Sequence, residues 1–433
     1  MSRVSGNRPV YNDSMRYFLS KLFPQPVKNL LHLAEAILAS WYFGRPARRM
    51  VIIGVTGTNG KTTTANIIAR ILEEDGKKVA LASTINFRIA GKETVNASKF
   101  TTLGGWRLQR FLRDALLAGC TYVVLEVSSH ALDQRRVSGI AYEVAVVTNV
   151  TREHLDYHKT MEAYRRAKRR LFDGAEKSVV NLDMWEPEFF LEGAKEKRTY
   201  SRTDASADFF AEGIESTLKG SGFSIAGVPF SINLPGMFNV ENALAAIAAT
   251  SSIGVPLLTA AKAIAKISLV PGRMERIPNH LGATILVDYA VTPDSLEKLY
   301  ELVSSMRKGD AKIVAVFGAC GERDRGKRPI MGEIVSSQAD VVILTNEDPY
   351  HEDPQRILDE IEVGIKGKEK NVDFFRIFNR REAIAKALSL LRPDDILLVT
   401  GKGAEETMAL GDDRIPWNDR KVIEEELLKG MSA

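Results

Sequence analysis

The sequence predicts an α/β protein with two successive units, each built on a largely parallel sheet. Three observations support this fold class. A glycine-rich turn at residues 54–64 joins the apolar run 50–53 to a helical pattern at 65–72. Strand-like and helical runs then alternate as far as residue 185, and a second alternation starts near residue 271. Alternation of this kind is typical of parallel strands joined by crossover helices.

The elements divide the chain into three predicted parts: a short helical segment at 1–47, a central unit at 48–270 and a doubly wound C-terminal domain at 271–433. In the central unit, strands are predicted at 79–83, 122–127, 144–150 and 178–183, and helices at 106–118, 161–172, 239–252 and 257–267. A Ser/Gly/Thr-rich stretch at 198–234 predicts a small antiparallel patch. The C-terminal strands are predicted at 284–288, 313–317, 341–345, 374–377 and 396–400, before a last helix at 418–429.

The composition indicates an ordinary globular protein in a reducing compartment. The chain has 433 residues, a net charge of +4, 45% hydrophobic residues and two cysteines. These values argue against a nucleic-acid partner and a disulfide framework, and we expect a cytoplasmic monomer.

The apolar stretch 30–43 is shorter than the roughly 20 residues that a bilayer span needs. It predicts either a helix packed on the next unit or peripheral contact with a membrane, helped by Lys21, Lys28, Arg45, Arg48 and Arg49.

The glycine-rich turn has the composition of a phosphate-binding P-loop. It follows a strand and opens a helix, so its backbone N–H groups and the helix N-terminus can face a polyanion. Lys61 can reach the β and γ phosphates, and the Thr62 hydroxyl can bind Mg²⁺. The spacing departs from the common pattern, because Val55 stands where the first glycine is expected. The predicted loop residues, which would bind a nucleoside triphosphate, are Gly57, Thr58, Asn59, Gly60, Lys61, Thr62 and Thr63.

Two further strand ends carry candidate metal ligands. Glu126 ends an apolar strand, where a carboxylate can hold Mg²⁺ or simply cap a helix. His154 lies just past the next strand in a segment with two histidines and two acids, which could bind Mg²⁺ or zinc or form only a polar loop. Lys168 lies among four arginines and is either part of a solvated basic face or a buried, modified lysine.

The C-terminal domain holds two charged turns of opposite sign. Residues 317–329 form a glycine-containing turn with several arginines and lysines, which predicts a site for carboxylate or phosphate. Residues 346–354 form an acidic turn after a strand. Together they could bind a zwitterion with an extra amine, although the acidic turn is equally compatible with an ordinary helix N-terminus.

Taken together, these segments resemble the Mur ligase family, and within it the MurE type. The resemblance covers residues 42–430 and rests on motifs that occur in the family's order: 57–63, 126–130, 148–158, 164–168, 239–242, 272–275, 288–290, and 321–324 with 327–329. The family has an ATP-binding central domain and a Rossmann-like C-terminal domain. It uses ATP to join an amino acid to a peptide carboxylate through an acyl phosphate.

The resemblance also implies roles for individual residues. Lys61, Glu126, His154 and Lys168 would be catalytic, with Mg²⁺ held by Thr62, Glu126, His154 and a carbamate on Lys168. The nucleotide contacts would be Asn239, Asn242, Arg273 and Asp288. The contacts to a muramoyl-peptide-like acceptor would be Thr101, Thr102, Ser128, Gln134 and Arg136. The amino-acid contacts would be Arg323, Glu347, Asp348, Tyr350, Gly401 and Glu405.

The sequence departs from the family pattern at both ends of the reaction. MurE proteins carry an N-terminal domain that holds the uridine nucleotide, and we expect this domain to be lacking here, because about 47 residues precede the ATP-binding core. In the C-terminal domain, Tyr350 stands where diaminopimelate-adding members have arginine. We therefore expect a basic amino acid such as lysine to be added. Three other readings are a folate or poly-amino-acid ligase, a non-catalytic nucleotide-binding partner and a simple phosphotransferase.

Overall fold

A computed structural model describes residues 24–96, 100–217, 219–267 and 270–432. The helices are α1 (Gln25–Tyr42), α2 (Lys61–Glu74), α3 (Gly105–Leu117), α4 (Ser129–Asp133), α5 (Leu155–His158), α6 (Met161–Arg169), α7 (Glu188–Leu191), α8 (Met237–Ser251), α9 (Leu257–Ala265), α10 (Pro293–Met306), α11 (Lys327–Gln338), α12 (Pro354–Glu362), α13 (Arg380–Leu390) and α14 (Asp419–Ser432). The central half of the chain contains β1 (Val51–Thr56), β2 (Val79–Ala82), β3 (Asn86–Ile89), β4 (Lys92–Val95), β5 (Tyr122–Glu126), β6 (Val144–Val147), β7 (Lys177–Asn181), β8 (Glu196–Ser201), β9 (Phe209–Phe210), β10 (Glu212–Thr217), β11 (Gly220–Ile225) and β12 (Val228–Ile232). The C-terminal half contains β13 (Glu275–Ile277), β14 (Thr284–Asp288), β15 (Ile313–Phe317), β16 (Val341–Leu344), β17 (Phe374–Arg376), β18 (Ile396–Thr400), β19 (Thr407–Leu410) and β20 (Asp413–Pro416).

The central sheet has nine strands in the order β4-β3-β2-β5-β1-β6-β7-β8-β9. Strands β2, β5, β1, β6, β7, β8 and β9 are parallel, and the β3–β4 hairpin is antiparallel at one edge. The strands of a sheet covered by helices on both faces are continuously apolar, and β6 is buried along its whole length. The predicted parallel sheet is confirmed.

The second sheet has six strands in the order β13-β14-β18-β15-β16-β17. All are parallel except β13, which pairs antiparallel with β14. Sequence order reverses on either side of β18, which is the arrangement of a doubly wound sheet. The predicted strands match the observed ones to within one residue at each end.

Two predictions for the central unit need correction. The strand predicted at 144–150 ends at Val147, because Thr148 and Asn149 instead hydrogen-bond to the glycine-rich turn. The patch predicted at 198–234 is antiparallel only from β10 to β12, whereas β8 and β9 extend the parallel sheet. Tyr200 anchors β8 there, since its buried hydroxyl donates to the carbonyl of Val147 (3.0 Å).

A buried ion pair fixes the last helix to the second sheet. Arg380 at the start of α13 donates to both carboxylate oxygens of Asp419 at the start of α14 (2.9 and 2.6 Å) and to the carbonyl of Thr400 (2.8 Å). Both side chains are almost fully inaccessible to solvent. This arrangement holds the end of β18 and the turn that follows it at the mouth of the site described next.

Candidate active site

A cleft of about 270 Å³ lies between the two sheets, at the carboxyl ends of β1 and β5 on one side and of β14 and β15 on the other. Ligands of parallel sheets bind at this edge. Seventeen of the predicted site residues line the cleft: Thr58, Asn59, Gly60, Lys61, Thr62, Thr63, Thr101, Glu126, His154, Asn239, Asn242, Arg273, Asp288, Arg323, Asp348, Tyr350 and Glu405.

The glycine-rich turn is closely packed against both neighbouring segments. A Cβ on Gly57 would lie 1.9 Å from the Thr148 hydroxyl, and one on Gly60 would lie 2.1 Å from the Asn242 amide oxygen. Both glycines also have a positive φ, which side chains rarely allow. Asn149 shapes the turn further, because its side-chain oxygen accepts from the backbone N–H of Asn59 (2.9 Å). Only glycine fits at 57 and 60, and the turn is held open as a concave cradle.

The half-buried Lys61 and the buried Lys168 point their amines at the carbonyls of this turn. Lys61 donates to the carbonyls of Thr58 (2.8 Å) and Gly57 (3.1 Å). Lys168 donates to the carbonyl of Gly57 (2.7 Å). Burial lowers the pKa of both amines, and the proximity of Lys61 lowers the pKa of Lys168 further. Neither lysine forms an ion pair within the described residues. Among the described residues, two amines without an ion-pair partner therefore face the glycine-rich turn, and burial shifts both toward the neutral form.

Glu126 is held at the end of β5 by three hydroxyl or amide donors. Its Oε2 accepts from the Thr62 hydroxyl (3.0 Å) and the Thr84 N–H (2.8 Å), and its Oε1 accepts from the Thr84 hydroxyl (2.9 Å). The carboxylate is nearly inaccessible to solvent and has no cationic partner in the described part of the chain. Thr62 and Glu126 therefore form a compact set of hard oxygen ligands beside the phosphate cradle.

His154 belongs to a cluster of neutral histidines. It adopts a positive φ of 56° that turns it toward the cleft, and its ring centroid lies 4.6 Å from that of His130. Burial, reinforced by His130 and Lys168, holds the pKa of His154 well below its usual range. Among the described residues its Nδ1 has no hydrogen-bond partner, and neither has Oε2 of the adjacent Glu153. A neutral imidazole with an unused ring nitrogen is the form that binds a metal ion.

The C-terminal side of the cleft is arranged differently. The Arg323 guanidinium lies 5.5 Å from the Tyr350 ring centre, and Arg414 lies 5.2 Å from the same ring. Lys402 is fully buried and forms ion pairs with Asp348 (2.8 Å) and Glu405. These carboxylates raise the pKa of Lys402 despite its burial. Two of the three predicted acidic contacts are thus already paired with a lysine of the chain itself.

Eight predicted residues do not line the cleft: Gly57, Thr102, Ser128, Gln134, Arg136, Lys168, Glu347 and Gly401. Thr102 lies directly behind it, because its hydroxyl donates to the Glu126 carbonyl (3.1 Å) and its own carbonyl accepts from Arg136 (3.0 Å). Glu347 lies behind Cys320, whose thiol donates to it (2.9 Å), and burial raises the pKa of Glu347. The lack of a Cβ at Gly401 leaves room for this carboxylate.

Sequence reasoning missed several residues that shape the cleft. Thr84 follows β2 and carries no motif, so only the fold brings it to Glu126. Lys327 and Glu153 did have a signal, since both lie within charged turns that the sequence analysis describes. Lys327 is buried and donates to Glu153 (2.9 Å) and to the Val291 carbonyl (2.8 Å). Their pairing joins the two halves of the chain.

Comparisons with known proteins agree with this geometry. Residues 55–250 match the family model "Mur ligase middle domain", and residues 272–403 match "Mur ligase, glutamate ligase domain". The chain is 41% identical over 411 residues to a UDP-N-acetylmuramyl-tripeptide synthetase of Roseiflexus sp. (strain RS-1), covering 89% of this chain and 80% of that protein. It is 39% identical over 412 residues to a UDP-N-acetylmuramoyl-L-alanyl-D-glutamate–2,6-diaminopimelate ligase of Bacillus cereus, covering 92% and 82%.

Solved structures show the same relationship. A UDP-N-acetylmuramoyl-L-alanyl-D-glutamate–2,6-diaminopimelate ligase is similar with a TM-score of 0.61 and 32% identity, covering 92% of this chain and 83% of that one. A folylpolyglutamate synthase of Mycobacterium tuberculosis is similar with a TM-score of 0.71 over 85% of this chain and 92% of that one. Its 18% identity shows a shared fold alone.

Proposed function

Because this chain belongs to the Mur ligase family, we propose that it is an ATP-dependent ligase that joins an amino acid to the carboxylate of a muramoyl-peptide acceptor. The acceptor carboxylate would attack the γ-phosphate of ATP, which breaks the bond to ADP. The amine of the amino acid would then displace phosphate from the acyl phosphate, lose a proton and form the amide.

The observation that carries this proposal is one cleft with two chemically distinct ends. The glycine-rich turn, Lys61, Thr62 and Glu126 line one end, and Arg323 lines the other. A phosphate cradle and a guanidinium fork for a carboxylate suit a reaction that couples ATP to the joining of two carboxylate-bearing molecules. A phosphotransferase would leave the second end without a role.

The residues at the nucleotide end fit a triphosphate and Mg²⁺. Thr62 and Glu126 would hold one ion through oxygen atoms, and the unused Nδ1 of His154 would hold a second. Bound Mg²⁺ would neutralise phosphate charge during transfer. Lys61 would move from the loop carbonyls to the transferring phosphate. Asn239, Asn242, Arg273 and Asp288 all line the same cleft and would contact the nucleotide.

Lys168 would act as a carbamate. Its burial favours the neutral amine, which is the form that attacks CO₂ to make an N–C bond and release a proton. The product is an anion where the unmodified side chain is a potential cation. It would replace an uncompensated amine next to Lys61 with an oxygen ligand for Mg²⁺.

At the amino-acid end we propose that Arg323 binds the α-carboxylate. Tyr350 occupies the place of the arginine found in diaminopimelate-adding relatives, which supports lysine or a similar basic amino acid. Asp348 and Glu405 are paired with Lys402, which leaves Glu347 as the acid without such a pairing. Glu347 Oε2 has no hydrogen-bond partner among the described residues. Arg414, on the Tyr350 ring, is the competing partner for a second carboxylate.

We propose domain boundaries at 47/48 and 270/271. The first family match ends at residue 250 and the second begins at residue 272, which supports the second boundary.

The acceptor peptide would be faced, directly or through hydrogen bonds around Glu126, by Thr101, Thr102, Ser128, Gln134 and Arg136. Folate and poly-amino-acid substrates are not favoured, since the likeness to folylpolyglutamate synthase extends to the fold alone.

The test is phosphate release from ATP by the purified full chain, measured with each amino acid singly and with a panel of acceptors. The panel contains UDP-N-acetylmuramoyl-L-alanyl-D-glutamate, the same muramoyl peptide without UDP, a folate and a glutamate oligomer. We expect release only when a muramoyl peptide and an amino acid are both present, with a product of the summed mass less water. Release that requires the folate or the glutamate oligomer would overturn the proposal.

A further inference from the structure

Helix α1 presents its large apolar side chains to solvent and its small and polar ones to the protein. Ala36, Ala39 and Ser40 are its buried residues, and a Cβ on Gly105 of α3 would lie 2.9 Å from the Ala36 Cα. Asn29 donates to the Asp133 carbonyl on the same inner side (3.1 Å). A surface helix normally has the reverse polarity. The outward apolar residues, with exposed fractions from 41% to 74%, are Val27, Leu30, Leu31, Ile37, Leu38, Trp41 and Tyr42.

These outward residues form one uninterrupted stripe, which we call the α1 face. At 3.6 residues per turn they fall within an arc of about 140° that runs the length of the helix, about 27 Å. The charged residues of α1 are Lys28 and Glu35, and both lie at the edge of the arc. Glu35 is engaged, since it accepts from the Trp106 N–H (3.2 Å). The α1 face therefore carries no charge of its own.

Aromatic and cationic side chains gather at the C-terminal end of this face. Trp106 at the start of α3 packs on Tyr42 with 5.0 Å between ring centres and is itself partly exposed. The Arg45 guanidinium lies 3.4 Å from the Trp41 ring centre. Arg110 follows Trp106 by one helical turn and is exposed, although its guanidinium lies 4.0 Å from the exposed Asp114 carboxylate. Residues 24–50 contain four basic residues against one acidic residue, Glu35.

We propose that the α1 face binds the surface of an anionic lipid bilayer. A long apolar stripe with tryptophan and tyrosine at one end and arginines beside them is the pattern of a helix that lies in the interface plane. The basic residues complement anionic headgroups, and the one acid of α1, Glu35, is exposed only at the edge of the stripe, where it accepts from the Trp106 N–H. None of the described helices is long and apolar enough to cross a membrane, so α1 would lie on the surface. Lys21, part of the predicted basic set, lies outside the described residues.

The test uses the full chain and vesicles of phosphatidylcholine with or without phosphatidylglycerol. We expect co-sedimentation with the mixed vesicles, weaker binding to pure phosphatidylcholine, and loss of the difference at high salt. The double variant Leu38→Glu/Trp41→Glu should bind at least about tenfold less tightly, because two anchors are replaced by anions. Leu258→Glu, at a similarly exposed leucine on α9, is the matched control and should bind as the parent does.

A second measurement locates the contact. Lipids with brominated acyl chains should quench tryptophan emission of the parent, and Trp41→Phe should lose a large part of that quenching. Because the changed side chains are exposed, we expect all variants to fold, and thermal melting checks this. The proposal is overturned if the parent does not bind the mixed vesicles, or if Leu38→Glu/Trp41→Glu binds as well as the parent. It is equally overturned if α1 instead mediates a dimer in vesicle-free solution that the double variant abolishes.

Discussion

The two ends of the cleft manage buried charge in opposite ways. At the nucleotide end, the amines of Lys61 and Lys168 donate hydrogen bonds only to carbonyls among the described residues, and the Lys168 amine also lies 4.3 Å from the Tyr164 ring centre. His154 Nδ1 has no hydrogen-bond partner in the same part of the chain. At the amino-acid end, Lys402 is shared between Asp348 and Glu405, and Arg328 binds Glu352 and Glu360 (2.7 Å each). One end is left with unmatched groups, whereas the other is largely neutralised by the protein itself.

This difference indicates what each end recognises. Unpaired buried charges and ligand atoms are costly unless a ligand completes them, so the nucleotide end is built for a polyanion and its cations. The amino-acid end, whose charged side chains are mostly paired with one another, cannot attract an amino acid through its net charge. It selects through the few groups that remain, chiefly Arg323 and the shape around Tyr350.

Lys61→Ala should reduce turnover by about 100-fold or more, because stabilisation of charge on a transferring phosphate is worth about 3 kcal/mol. The measurement is steady-state phosphate release with saturating substrates. Lys266→Ala, at an exposed lysine, is the matched control and should behave as the parent. Near-normal ligation by Lys61→Ala would show that the cradle does not serve ATP.

Lys168→Ala should fold normally and lose at least roughly 10- to 100-fold in activity, since the carbamate that would bind Mg²⁺ is removed. The parent, labelled with ¹³C-bicarbonate, should show a carbamate carbon signal by NMR that the variant lacks. An active variant, or a parent without that signal in the presence of ATP, would contradict the carbamate. Retained activity of Lys168→Ala would also mean that the buried Lys168 amine serves a purpose other than catalysis.

In a competition at equal concentrations, L-lysine should be favoured over meso-diaminopimelate by about 5- to 150-fold. A second carboxylate buried at Tyr350 without a partner costs about 1–3 kcal/mol. Mass spectrometry of the products gives the ratio. If diaminopimelate is preferred and Arg414→Ala abolishes that preference, Arg414 is its partner and the interpretation of Tyr350 is wrong.

The two ends should also differ in acid sensitivity. Burial lowers the pKa of His158, near the nucleotide end, from 6.5 to about 4, so the unfolded chain binds more protons and stability falls as the pH drops from 6.5 to about 4. The Arg328 hydrogen bond lowers the pKa of Glu352 from 4.5 to about 2, so that contribution is lost only below about 4.5.

Melting temperatures of His158→Gln and Glu352→Gln relative to the parent check this contrast across the pH range. The difference between parent and His158→Gln should shrink as the pH drops from 6.5 to about 4. The difference for Glu352→Gln should stay constant down to 4.5 and shrink below it. If both melting-temperature differences changed over the same pH range, the two ends of the cleft would not differ in acid sensitivity.

Much of the architecture was predictable because it follows from local patterns. The alternation of strand-like and helical runs, together with the turn residues between them, predicted both parallel sheets. The α/β class with a P-loop central domain and a Rossmann-like C-terminal domain is confirmed. β8 was misassigned because polar residues on its exposed positions resemble an antiparallel strand. It pairs in parallel with β7, and Tyr200 on β8 contacts the distant Val147, neither of which a local pattern encodes.

The position of the candidate site was predictable where its residues lie within one short segment, as in the glycine-rich turn, whose residues 58–63 line the cleft. It was less predictable where function depends on distant partners. No sequence pattern near Thr84 indicates that it donates to Glu126. The acidic residues Asp348 and Glu405 suggest a site for an amine, but in the structure both are paired with Lys402. Charge along a sequence shows which groups are present, but only the fold shows which of them are already paired.

The bridge between Lys327 and Glu153 has a kinetic consequence. With Asn59 bonded to Asp294 across the same gap (2.7 Å), two polar contacts join the halves of the chain beside the cleft. Nucleotide would then enter only while these contacts are broken. We expect the observed rate of nucleotide association to level off at high nucleotide concentration, at the rate of spontaneous opening, and Lys327→Met to raise that plateau.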